Sequence, residues 1–315
     1  MLPALLASLR PRQWTKNLLV LAPLVFAHKL DDPATLGRAL AAFVVFCILS
    51  GAVYLLNDLR DLEQDRLHPV KSKRPLASGR LSRTVARVAL ALLLVAGVAA
   101  SWALGPELLS EVAAVHPNLS DPGAGPATVR QPSFFALALT YLLMQVGYSL
   151  HLKHVVIVDV MLIAMGFVIR AVAGAAAVAA EISPWLLVCT IFLALFLALA
   201  KRRHEVVLLA ADAGNHRPTL DEYDPYLLDQ MIGIVGAACV ISYALYTMAA
   251  ETVAKFGTSN LNLTLPFVVY GIFRYLYLVH RKADGGDPSA SLLADRPLLL
   301  AVCLWGVAVV AILYL

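Results

Sequence analysis

The chain has 315 residues, 60% of them hydrophobic and only 15% charged, with a mean hydropathy of +0.76. Soluble domains are about 45–50% apolar and roughly 25% charged, so this composition excludes an ordinary soluble protein and defines an integral membrane one. The net charge of +4 is modest and marks no nucleic-acid partner, and the single cysteines Cys47, Cys189, Cys239 and Cys303 imply no disulfide framework.

Residues 1–16 carry Arg10, Arg12 and Lys16 and no acid, which suits an amphipathic approach to a membrane. Arg10, Pro11 and Arg12 precede the first long apolar run, so no cleavable signal peptide is expected. Apolar runs of about twenty residues place spans near 17–30, 38–57, 84–104, 133–150, 156–179, 184–200, 230–250, 263–280 and 297–315. The expected fold is all-α: a polytopic bundle of about nine transmembrane helices, forming one transmembrane domain over residues 1–315. Basic residues crowd the loops after the second, sixth and eighth spans, whereas residues 105–130 offer only Arg130. The positive-inside rule therefore puts the N-terminus and those loops in the cytoplasm. The Pro/Gly-rich stretch 105–132 reads as a flexible external loop without chemistry. The segment 211–229, broken by Pro218 and Pro225, reads as a possible cytoplasmic lid.

The second span runs straight into Asn57-Asp58-Leu59-Arg60-Asp61-Leu62-Glu63-Gln64-Asp65. On a continuing helix Asp58, Asp61 and Asp65 share one face with Asn57 beside them, while Glu63 points away. Carboxylates on one stripe repel unless a cation sits among them, and at a membrane edge unneutralised charge is costly. Mg²⁺ suits such a set, because it takes carboxylate and amide oxygens and shares its shell with substrate phosphates. A solvated acidic helix end is the plainer alternative.

Lys71-Ser72-Lys73-Arg74-Pro75-Leu76-Ala77-Ser78-Gly79-Arg80 follows closely, and Lys71, Lys73 and Arg74 suit a diphosphate beside a metal. An ordinary positive-inside loop against anionic lipid is the other reading. Lys16 and Asn17 open the first span and either face a cavity or belong to an interfacial anchor around Trp14. Tyr148 and Lys153 end the fourth span as donors for an anionic substrate; His151 and His154 lack a third ligand for zinc. Asp159 and Arg170 sit inside the fifth span, too far apart along the helix to pair, so each needs its own partner. Lys201, Arg202 and Glu205 close the sixth span, as a second phosphate-binding wall facing the aspartates or as a plain Lys201–Glu205 salt bridge.

These motifs resemble the UbiA superfamily of intramembrane prenyltransferases. The likeness is carried by Asn57-Asp58-x-x-Asp61-x-x-x-Asp65, by Lys71-x-x-Arg74-Pro75-Leu76-x-Ser78-Gly79, and by Arg10-Pro11-x-Gln13-Trp14-x-Lys16-Asn17. Prenyl-transferring members carry a second acidic motif, DxxxD, where this chain reads Lys201-Arg202-Arg203-His204-Glu205. With Tyr148-Ser149-x-x-Leu152-Lys153 and Gly166-Phe167-x-x-Arg170-Ala171-x-Ala173-Gly174, that departure resembles the decaprenyl-phosphate phosphoribosyltransferase branch. The resemblance implies a bacterial plasma-membrane enzyme of cell-wall biosynthesis with its active site on the cytoplasmic face. Mg²⁺ would be the cofactor, phosphoribosyl pyrophosphate the donor and a polyprenyl phosphate the acceptor. It implies Asp58, Asp61 and Lys153 as catalytic residues, with Asn57, Asp58, Asp61 and Asp65 on the metal. Lys16, Asn17, Lys71, Lys73, Arg74, Tyr148, Lys153, Arg170, Lys201, Arg202 and Glu205 would line the substrates. Two other readings stand beside it: a UbiA-type transfer of a prenyl group to an aromatic acceptor, and a non-enzymatic transporter of lipid-linked sugars. A homo-oligomer stays open.

Overall fold

The computed structural model describes residues 2–27, 29–67, 70–105, 107–113, 128–182, 184–210, 222–281 and 288–314. Its regular structure is helical apart from one two-stranded ribbon. Among the described residues, six helices are long and apolar enough to cross a membrane: Pro33–Arg60, Arg83–Ala103, Val158–Ala177, Pro225–Met248, Asn260–Arg281 and Arg296–Tyr314. Phe134–Leu150 is slightly shorter, and Pro184–Ala210 is apolar up to Ala200 before its charged end. Large apolar side chains lie bare on these helices, among them Leu92, Val95, Ile234 and Phe273, as hydrocarbon-facing surfaces require. The chain is a multi-pass integral membrane protein.

The helices start where side chains can satisfy their first N–H groups. Asp32 accepts from Ala34 N and Thr35 N, Ser82 from Val85 N, Ser133 from Ala136 N and Asp224 from Leu227 N. Pro33 and Pro225 follow two of these caps, where a missing N–H costs nothing.

The chain divides into two compact units, one of Met1–His151 with Ile169–Ile182, the other of Leu152–Val168 with Ser183–Leu315. In the first, a short helix Leu2–Ser8 leads into a 3₁₀ run, Pro11–Leu21, and a helix of one turn, Ala22–Phe26. The continuous helix expected over 17–30 is thus replaced by tighter 3₁₀ backbone, and Pro23 lacks the N–H that a helix passing through it would use. The 3₁₀ run packs close to the helix ending at Ala177: a Cβ on Gly174 would collide with the carbonyl of Val20. At the end of that helix Lys29 Nζ donates to the carbonyls of Val178 and Ala179 at 2.8 and 2.9 Å, and Arg38 Nε to that of Ala177 at 3.0 Å. These cations satisfy carbonyls that a helix C-terminus leaves open.

The stretch expected to be a structureless loop at 105–132 is paired at its two ends. Leu109–Ala113 and Thr128–Pro132 form an antiparallel ribbon with Glu111 opposite Arg130; residues 114–127 lie outside the description. Gln131 ties the ribbon to the bundle, donating to the carbonyl of Ala180 at 2.9 Å and accepting from Ile182 N at 3.2 Å.

The second unit packs Pro184–Ala210, Pro225–Met248, Leu265–Arg281 and Arg296–Tyr314 around Phe196, Leu199, Leu228, Ile232 and Leu278. Among its buried polar groups, Tyr243 and Thr264 share a hydroxyl–hydroxyl bond of 2.6 Å, and Trp305 Nε1 donates to Tyr243 at 2.9 Å. The lid expected at 211–229 lies mostly outside the description, which resumes at Glu222.

Candidate active site

The first cluster stands at the end of the Pro33–Arg60 helix. The unbroken helix expected across 57–65 is corrected: the helix stops at Arg60, Asp61 takes the C-cap, and Leu62–Leu67 begins a new turn. Backbone bonds of helical spacing bridge the break, Asp61 N to Asn57 O at 2.9 Å and Asp65 N to Asp61 O at 2.8 Å. The facing relation therefore survives. Asp58 and Asp65 are 2% and 3% exposed, and one nitrogen of Arg74 reaches both, at 3.2 and 2.6 Å. Asp61 is half-buried beside them. Glu63 turns outward to Arg66 and Arg83.

Arg10 also binds Asp58, on the oxygen that Arg74 uses, and its guanidinium lies 4.8 Å from the Tyr54 ring centroid. The sequence left the N-terminal basic run open between a cavity lining and a membrane anchor and gave Arg10 no partner; the Arg10-Pro11-x-Gln13-Trp14 pattern was the available signal. Arg74 is held by its own motif. Ser78 N bonds the carbonyl of Arg74 at 2.9 Å, Leu81 N that of Pro75 at 2.9 Å, and Arg80 the carbonyl of Lys73 at 2.7 Å. Gly79 takes a left-handed φ of +79°, and Leu76 is buried at 2%. The Arg-Pro-Leu-x-Ser-Gly run is thus a rigid turn that aims one guanidinium. Lys71 is half-buried and Lys73 exposed on the 3₁₀ turn before it.

A second cluster lies deeper in the same unit. Asn17, 1% exposed, accepts from Arg170 Nε at 2.7 Å and donates to Ser50 at 3.1 Å. Arg170 also donates to the hydroxyl of Tyr141 at 2.8 Å and stacks 4.7 Å from that ring's centroid. Lys16 and Tyr148 are half-buried elsewhere in this unit.

The third cluster belongs to the second unit. Asp159 is fully buried; it binds Arg202 through one oxygen and the hydroxyl of Tyr223 through the other, at 2.8 Å. Arg202, 3% exposed, also donates to Glu205 at 2.5 Å, whereas the expected Lys201–Glu205 pair is looser at 3.8 Å. Tyr223 accepts from Ile157 N at 2.7 Å, and burial together with the Asp159 carboxylate pushes its phenol up to about 12. Lys153 is buried on the 3₁₀ turn Leu152–His154. Arg203 binds Asp229, which also meets His280 at 3.1 Å. Asp159 and Tyr223 were not foreseen as site residues, because neither carries a motif.

Among the described residues no three His, Cys, Asp or Glu side chains are drawn together tightly enough to cage a metal. The donor set at 57–65 nevertheless fits Mg²⁺ in kind, being carboxylate and amide oxygen, and Asp58 and Asp65 already share a single cationic nitrogen.

Fold and site define a polytopic, all-helical membrane protein with a carboxylate–guanidinium centre at a helix end. A model of the UbiA prenyltransferase family matches residues 18–115. The chain is similar to a decaprenyl-phosphate phosphoribosyltransferase of Corynebacterium glutamicum, 32% identical over 314 residues that cover 99% of this chain and 87% of that one. It is also similar to the nodulation protein NoeC of Azorhizobium caulinodans, 27% identical over 307 residues, 95% of this chain and 89% of that one. In fold it matches a UbiA homolog from Archaeoglobus fulgidus, bound to GPP and Mg²⁺, with a TM-score of 0.69 at 19% identity, over 99% of this chain and 100% of that one. The chain belongs to the UbiA prenyltransferase family.

Proposed function

We propose that this transferase, acting as a single transmembrane domain, moves a 5-phosphoribosyl group from phosphoribosyl pyrophosphate to a polyprenyl phosphate. The bond from the anomeric carbon to the pyrophosphate oxygen breaks, a lipid phosphate oxygen bonds that carbon, and pyrophosphate leaves with the electron pair. The observation that carries the reading is the likeness, nearly end to end, to a decaprenyl-phosphate phosphoribosyltransferase.

Asn57, Asp58, Asp61 and Asp65 would hold Mg²⁺, whose charge stabilises a diphosphate as leaving group. Lys71, Lys73 and Arg74 neutralise its remaining oxygens. Lys153, Arg170 and Lys201 serve the ribose 5-phosphate and the lipid phosphate, with Lys16, Asn17 and Tyr148 as further donors. Arg202 and Glu205 order this wall, since Arg202 sits between two carboxylates and Lys201 is the more exposed cation. The lipid phosphate is already an anion, so no general base is needed, and catalysis is positioning and electrostatics. An apolar groove lined by Ala52, Val53, Leu56, Leu90, Leu94 and Leu142 starts one residue before Asn57 and suits a polyprenyl tail. The basic loops support a site on the cytoplasmic face.

The test uses purified protein with Mg²⁺, a polyprenyl phosphate and ribose-labelled phosphoribosyl pyrophosphate. Label passing into the organic phase with release of pyrophosphate is the expected result. The GPP and Mg²⁺ bound to the Archaeoglobus homolog favour a second reading, prenyl transfer to an aromatic acceptor. Turnover of a prenyl diphosphate, with no ribose transfer, would establish it instead.

A further inference from the structure

We propose that Arg10 and Arg74 exchange partners as substrate binds. Before binding they neutralise Asp58 and Asp65; on binding they turn to the diphosphate while the carboxylates turn to the metal. The site therefore admits metal and diphosphate together and resists the metal alone. This rests on the metal–diphosphate reading of the site and assigns Arg10, hitherto without a role, to the diphosphate.

Three observations carry it. Asp58 and Asp65 are almost wholly buried, so neither can be left without a counter-charge. Two arginines bind them: both meet on the same Asp58 oxygen, with Arg74 extending to Asp65 at 2.6 Å. A divalent ion seeking those oxygens must displace both guanidiniums. Each arginine side chain is 28–29% exposed and so has an open side toward which to turn.

Metal alone offers the displaced arginines nothing and adds to their repulsion. A diphosphate brings oxygen acceptors suited to the guanidinium fork, so each arginine exchanges one anionic partner for another. The two arginines are mounted differently. Arg74 leaves a rigid turn, so its side chain alone swings. Arg10 sits at a left-handed φ of 53° between the Leu2–Ser8 helix and the 3₁₀ run, where backbone strain makes a second conformation accessible.

The test uses the full chain in lipid nanodiscs, with Mn²⁺ followed by the paramagnetic signal of the free ion and labelled inorganic pyrophosphate as the anion. Arg10→Gln and Arg74→Gln should each tighten Mn²⁺ binding without pyrophosphate by roughly tenfold, about the worth of one charge-assisted bond. The same variants should weaken pyrophosphate binding at saturating Mn²⁺ by a similar factor. Opposite signs are the signature, since a merely structural arginine would weaken both or change neither. Unchanged or weakened Mn²⁺ binding in the variants overturns the proposal. Should Arg74→Gln fail to fold, Arg10→Gln carries the same expectation from a separate segment. Neither probe contains ribose, so the outcome is independent of whether the wild type transfers phosphoribosyl. Wild-type protein that binds Mn²⁺ under no condition would remove the metal reading itself.

Discussion

Arg170 Nε bonds Asn17 Oδ1 at 2.7 Å, joining residues 153 positions apart in the chain. A guanidinium buried at membrane depth is tolerated only with its donors engaged. Asn17 and Tyr141 supply two of the acceptors, and Ser50 fixes the amide by accepting a hydrogen bond from Nδ2. Removing either acceptor strands a buried charge. Asn17→Ala and Tyr141→Phe should each cost roughly 1–3 kcal/mol, read as a lowered Tm in detergent. Arg170→Lys should not rescue, because an ammonium cannot reach both acceptors in the planar arrangement. A variant with wild-type Tm would show that the network is not holding the fold.

Gly174 tests the close approach of the 3₁₀ run to the Val158–Ala177 helix. A methyl there would enter the Val20 carbonyl, a backbone atom that cannot rotate away. Gly174→Ala should therefore destabilise by roughly 1–3 kcal/mol or more. Gly233, on the Pro225–Met248 helix with nothing near its missing Cβ, is the control. Gly233→Ala should be stabilising by about 0.5–1 kcal/mol, through helix propensity alone. Equal effects at the two sites would refute the steric account.

The helices and the aspartate motif were legible because both are periodic. Apolar runs mark the spans, and the spacing of Asp58 and Asp65 put them side by side even across the break at Asp61. What could not be read was pairing at long range. Arg10 meets Asp58 from 48 positions away, and Tyr223 meets Asp159 from 64. No local pattern encodes such contacts. Asp159 and Arg170 were expected to have separate partners, and they do, but only folding could say which. The 3₁₀ backbone at Pro11–Leu21 was hidden for a different reason: its apolar residues satisfy a span by composition, and what draws the run against Gly174 is tertiary packing.

Tyr223 and Ile157 form a strained contact whose release is predictable. Ile157 holds a φ of 67°, a conformation that a β-branched residue rarely adopts, and its N–H is tied to the Tyr223 hydroxyl. Ile157→Gly should relieve strain of about 1–3 kcal/mol, less the small loss from a side chain that is 46% exposed. A rise in Tm is expected, and a fall would mean the conformation is unstrained. The phenol adds a pH dependence. Folding raises it from 10.0 to about 12, so its contribution to stability is complete below pH 10 and disappears as pH climbs through 12. Tyr223→Phe should be less stable at neutral pH and should lose less between those values. A parallel pair of alkaline stability curves would exclude Tyr223 as the titrating group.

Asp58 and Asp61 differ in surroundings although the motif treats them alike. Asp58 is buried beneath two arginines, while Asp61 is half-buried at the helix cap. If both carboxylates serve the metal, Asp58→Ala and Asp61→Ala should each lower transfer by 10³-fold or more, on the order of 4 kcal/mol of lost transition-state stabilisation. Their stabilities should diverge. Asp58→Ala strips two buried-side ion pairs from Arg10 and Arg74 and should unfold at lower temperature; Asp61→Ala, at a less buried carboxylate, should lower Tm by less. Measuring initial rate and Tm on the same preparations separates the two effects. Near-normal rates in a folded Asp61→Ala preparation would mean that the metal, if bound, is not held by this stripe.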